Sequence, residues 1–84
     1  MPLQWATTQN NLGNALRSLG QREGDPARLG EAVDAFRAAL QVFREGAPAY
    51  AEMASRNLER TTDLLRSLSA EVEDPPSPEV DEPA

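Results

Sequence analysis

Four polar residues, Thr7, Asn10, Asn14 and Arg17, recur at steps of three, four and three, the spacing that puts side chains on one face of an α-helix. They supply a hydroxyl, two amides and a guanidinium. A shift of 46 positions along the chain places Met53, Arg56, Arg60 and Asp63 in the same register. Arginine presents planar, bidentate donors that fit a carboxylate, so two amides and three guanidiniums make a set suited to an acidic ligand. The same faces read equally well as the solvated sides of two amphipathic helices, which need polar residues somewhere. Asparagine strains that reading: it is a mediocre helix former with no reason to recur on an exposed face, and a hydrogen-bonding task accounts for it.

Little other chemistry is on offer. The 84 residues include no Cys and no His, so a thiolate or imidazole nucleophile and the usual ligands of zinc and redox metals are missing, and a disulfide scaffold is excluded. No metal and no cofactor are expected. Catalysis would have to use carboxylates, hydroxyls or the single Tyr50. Acid pairs such as Glu31 with Asp34 fall on exposed helix positions, and a small bundle has little room for a cleft of several hundred Å³. The chain therefore reads as non-enzymatic.

The charges are 8 Arg, no Lys and 14 acids, a formal net charge of −6, which disfavours nucleic acid as a partner because that normally requires a basic footprint. Six of the acids (Glu71, Glu73, Asp74, Glu79, Asp81, Glu82) lie after residue 70, so residues 1–70 are formally neutral. No apolar run is long enough to span a membrane, and Met1-Pro-Leu-Gln-Trp5 lacks a basic segment followed by an apolar stretch, so no membrane partner and a cytoplasmic location are expected.

Helix punctuation divides the chain. Pro2 suits a first turn and Gly20 a left-handed stop, giving a helix over about 3–19. Asp25 can cap the next helix with Pro26 at its first position, and Gly46 can end it, giving about 26–44. Ala47-Pro48 restarts the pattern, whose apolar periodicity fades after Leu68, giving about 48–69. The apolar stripes are Trp5, Leu12, Leu16 and Leu19, then Leu29, Ala32, Val33, Phe36, Leu40 and Phe43, then Tyr50, Ala54, Leu58, Leu65 and Leu68. No stretch alternates convincingly and the connections are short, so the expected fold is all-α, three antiparallel helices in one domain over residues 1–70. Residues 71–84 hold four Pro, six acids and no aromatic, a composition expected to be a disordered tail, either solubilising or a ligand for a basic groove.

The chain also repeats itself. At an offset of 46, Pro2 falls on Pro48, Asn11 on Asn57, Leu12 on Leu58 and Leu19 on Leu65, so the third helix reads as a worn copy of the first. Trp5-Ala-Thr-Thr-Gln-Asn-Asn-Leu-Gly-Asn-Ala-Leu16 followed by Glu31-Ala-Val-Asp-Ala-Phe-Arg-Ala-Ala-Leu40 resembles a tetratricopeptide repeat of the long-period bacterial variety. Leu12-Gly13 with Leu16 matches the leucine, glycine and large residue of that family's first helix, and Ala32 with Phe36 the alanine and aromatic of its second. Gln9 stands where the family often has Trp, and the period is 46 rather than about 34. The resemblance covers roughly residues 2–68.

The resemblance implies one repeat hairpin plus a terminal capping helix, in which Glu59 replaces Gly13 at the offset and Glu52, Arg56, Glu59, Arg60, Asp63 and Arg66 give a polar outer face. It implies a non-catalytic scaffold, an adaptor or assembly subunit of a bacterial system that binds a protein or peptide partner. The ligand groove would lie on the first helix of each repeat, bringing Thr7, Asn10, Asn14, Arg17, Arg56 and Arg60 to one place, with Asn14 at the family position that contacts peptide backbone or a terminal carboxylate. An acidic segment is the expected ligand. Glu79-Val-Asp81 superficially resembles a chaperone tail motif read by some members, but Glu82-Pro-Ala84 follows where a free carboxylate is needed. A repeat and a half is below the three needed to bury a continuous core, so a homo-oligomer, or a subunit of a larger assembly, is expected. Its alternative form is a structural homo-oligomer whose units stack between chains.

Overall fold

The computed structural model describes residues 3–73, with side chains as far as Ser69. Three helices account for nearly all of it: α1 (Leu3–Glu23), α2 (Pro26–Gly46) and α3 (Pro48–Glu73). The all-α expectation holds. Pro2 and the expected tail beyond residue 73 lie outside the described residues, but 71–73, assigned to that tail, are helical.

The first helix does not stop at Gly20. It runs a further turn and ends at Gly24, whose φ of 63° is the left-handed conformation that glycine adopts without steric cost. The Asp25 N–H then donates to the Gly20 carbonyl at 2.9 Å, the six-to-one bond of a Schellman closure. The Asp25 carboxylate faces the other way and accepts from the Ala27 and Arg28 amides at 3.0 and 3.4 Å, so one residue closes α1 and caps α2. The second connection is tighter still. Gly46 stays helical, Ala47 donates to Phe43 O at 2.7 Å, and its own carbonyl accepts from Tyr50 and Ala51 as α3 begins at Pro48.

Short connections make neighbouring helices antiparallel, with α2 packed between α1 and α3, which meet each other only sparsely. The ends match accordingly: a Cβ on Gly46, at the end of α2, would meet Leu3 at the start of α1, and a shallow depression brings Leu29 of α2 to Leu64 and Leu68 of α3. The core is α2's, with Leu29, Ala32, Val33, Ala35, Phe36, Ala39, Leu40 and Phe43 all buried.

The face that α1 turns to α2 differs from the expected stripe. Its buried residues are Ala6, Asn10, Gly13 and Gly20, whereas Leu12 is 45% exposed and Trp5, Leu16 and Leu19 are half-buried. The reason is steric. At Gly13 a Cβ would fall 2.8 Å or less from Phe36 ring atoms, and at Gly20 2.9 Å from Leu29 Cδ2, so only a row of small residues lets the helices come this close. The apolar stripe of α2 is buried as expected. On α3, Ala54 is fully buried with Thr61, Leu58, Leu65 and Leu68 are half-buried, and Tyr50 is exposed with its ring edge-on to Phe43 at 5.5 Å.

Candidate functional site

The polar residues read from the sequence divide into two groups. Asn10, Asn14, Arg17 and Arg60 come together where α1 and α3 flank α2. Asn10 is 4% exposed, and its side-chain oxygen accepts from Asn57 Nδ2 of α3 at 3.3 Å. The hydrogen-bonding task expected of this asparagine is thus internal, joining α1 to α3, and its amide is not open to a ligand. Beside it the Asn57 carbonyl accepts from Thr61 Oγ1 at 2.7 Å, which satisfies the hydroxyl of a fully buried threonine.

Arg17 is held from two sides. Its Nη2 donates to Asn14 Oδ1 at 3.2 Å, and its guanidinium carbon sits 5.9 Å from the centre of the Phe36 ring, within cation–π range. The ring that makes Gly13 necessary therefore also supports the arginine four residues on. Burial, and secondarily the charge of Arg60, lower the Arg17 pKa below the usual arginine value, though a guanidinium stays charged at neutral pH. Its Nη1 is buried without a hydrogen-bond partner among the described residues. Neither Arg17 nor Arg60 forms a salt bridge among those residues, whose ion pairs are Arg28–Glu31, Arg56–Glu52 and Arg66–Asp63. The charge of Arg60 thus bears on Arg17 across the α1/α3 junction, and neither guanidinium has an ion-pair partner among the described residues.

Thr7 and Arg56 belong to the second group. Thr7 is exposed and its hydroxyl donates to Leu3 O at 3.1 Å, an internal bond that occupies its hydrogen. Arg56 is exposed and leans 3.9 Å from Glu52 on its own helix, a surface pair of small energetic weight. At the start of α3, Met53 is 41% and Tyr50 53% exposed.

Asn57 is the member least legible in the sequence. The repeat aligns it with Asn11, yet its partner is Asn10, because interhelix contact follows packing and not repeat register. Among the described residues no cluster of three or more acidic, His or Cys side chains could hold a metal ion, and no helix is long and apolar enough to cross a membrane. Compared with protein-family models, curated proteins and solved structures, the chain finds no match.

Proposed function

We propose that the protein is a tetratricopeptide-like scaffold without catalytic activity, whose α1/α3 junction binds an acidic peptide segment of a protein partner. The observation that carries this reading is Arg17, held by Asn14 and over the Phe36 ring within reach of the charge of Arg60, with no acidic partner for either arginine among the described residues. A carboxylate brought to the exposed guanidinium of Arg60 offsets the positive charge that bears on Arg17. Asn14 fixes the orientation of Arg17 in advance, which lowers the ordering cost of binding.

The test is titration of fluorescein-labelled hexaglutamate with the chain, read by anisotropy. Saturable binding that weakens with added salt and is lost in the Arg56→Glu, Arg60→Glu double variant supports the groove. Unchanged affinity in that variant overturns it, and the single variants apportion the loss between the two arginines.

A second reading, a structural homo-oligomer whose units stack between chains, is favoured by one observation, the exposure of Leu3 and Leu12 on α1. It requires particle size to grow with concentration in light scattering without any partner. A monomer at all concentrations eliminates it.

A further inference from the structure

The offset of 46 relates not only residues but faces, and the two ends of the molecule use those faces in opposite ways. The face of α3 that packs on α2 carries Ala51, Ala54, Leu58, Thr61 and Leu65; the same positions of α1 are Trp5, Thr8, Leu12, Ala15 and Leu19. On α3 this face is covered: Ala54 and Thr61 are 0% exposed, and Ala51 and Leu58 pack with Leu40 and Phe43 of α2. On α1 only its ends are partly covered, Trp5 packing against the core and Leu19 half-buried. Between them Thr8 and Ala15 are exposed and Leu12 is 45% exposed, and among the described residues no helix covers them as α2 covers Ala54 and Thr61 of α3.

The reverse comparison concerns the face by which α1 meets α2, built from Ala6, Gly13 and Gly20. Its equivalents on α3 are Glu52, Glu59 and Arg66, all exposed, with Glu52 and Arg66 in ion pairs. A helix cannot approach there as α2 approaches α1, because charged side chains stand where the small residues must be. The α3 end is therefore closed to further helices, while the α1 end has a face whose counterpart in the same molecule is filled by a helix.

We infer that the outer face of α1 and α2 docks an amphipathic α-helix of a partner protein, one that presents large apolar residues at α2-like spacing flanked by basic residues. The apolar floor is Trp5, Leu12, Leu16, Ala35, Ala38 and Val42, which line two shallow depressions along the α1/α2 seam. From Trp5 to Leu16 the floor runs about 17 Å at the helical rise, or about three turns. Glu31 and Asp34 rim one depression and Glu45 the other, and of these three only Glu31 has an ion-pair partner among the described residues, Arg28. That rim calls for arginine or lysine beside the partner's apolar stripe.

A second copy of this chain fits worse. Two copies related by a twofold axis across this face would set the acidic rim of one, Glu31, Asp34 and Glu45, against the acidic rim of the other. A head-to-tail stack would press the α1 floor onto the charged face of α3. The apolar stripe of a second copy's α2 is in any case already covered by its own α3.

The probe is a labelled peptide of the chain's own α2 sequence, residues 26–46, with Lys replacing Glu31, Asp34 and Glu45. Anisotropy against the whole chain is expected to show saturable binding, weakened at least tenfold by Leu12→Glu in the chain and severalfold by Asp34→Lys in the chain. Leu12 is exposed, so circular dichroism should report the Leu12→Glu chain as folded, and Glu59→Gln on the closed face should leave the affinity unchanged. Binding that Leu12→Glu does not alter, or no saturation at millimolar peptide, overturns the proposal. So does a chain that forms dimers which Leu12→Glu dissociates, since the second copy is then the occupant.

Discussion

Gly13 and Phe36 meet so closely that a Cβ on the glycine would lie 2.6 Å from the phenylalanine Cε1. That approach sets the separation of α1 and α2 and puts the ring where the Arg17 guanidinium lies over it at 5.9 Å. The same contact thus links packing to the candidate site.

Gly13→Ala should destabilise the protein although alanine is the better helix former. Overpacking against a ring costs about 1–3 kcal/mol, and the propensity gain of about 1 kcal/mol offsets part of it. A net loss of up to about 2 kcal/mol is expected, seen as a lower urea midpoint with an unchanged slope. Gly30 is the control: it lies inside α2, and a methyl group added there would have no neighbour within 4 Å, so Gly30→Ala should stabilise by about 0.5–1 kcal/mol. If both substitutions move the midpoint in the same direction, the close-approach account is wrong.

The α1–α2 connection rests on two adjacent residues with different physics. Gly24→Ala places a side chain at φ 63° in otherwise open space, and its cost of about 1–2 kcal/mol is purely conformational. Asp25→Ala removes the acceptor of two helix-start amides and should cost about 1 kcal/mol, largely recovered by Asp25→Asn, which keeps a capping oxygen. Thermal unfolding of the three variants checks both statements; if Asp25→Asn proves as damaging as Asp25→Ala, the cap is not what holds this turn.

The Asn10–Asn57 bond predicts strongly non-additive behaviour. Asn10→Leu alone leaves a partly buried amide without its partner and should cost about 1–3 kcal/mol. Replacing both residues with Leu removes the orphaned group and should recover most of that loss. A double-mutant cycle from urea unfolding measures the coupling, and an additive result would show that the two amides act independently.

Arg60→Glu should separate stability from binding. It replaces the positive charge that bears on Arg17 with a negative one, so the chain should be no less stable at low salt. Binding of an acidic peptide should fall in the same variant. Loss of stability together with binding would assign Arg60 a structural part in place of a recognition one.

The all-α fold, the three elements and the order in which they pack are legible because local signals agree with the global arrangement: Asp25-Pro26 opens a helix, Ala47-Pro48 opens another, and the connections are too short for anything but antiparallel neighbours. Gly20 reads as a stop and is not one, for a physical reason. Glycine serves both as a left-handed terminator and as a spacer for close packing, and the sequence does not say which. Gly24 takes the first role and Gly20 the second.

The site is legible in composition and only partly in arrangement. Asn10, Asn14 and Arg17 share one helical side by spacing alone, but only packing decides that Asn10 is spent on Asn57 while Arg17 lies over the Phe36 ring. The sequence by itself determined where each helix begins and that α1 and α3 share a pattern. The tertiary structure decided which face of each is covered. Hydrophobic periodicity ranks Leu12 above Gly13 as a core residue, yet helices pack closest along their smallest side chains, so the glycine is buried and the leucine is left outside.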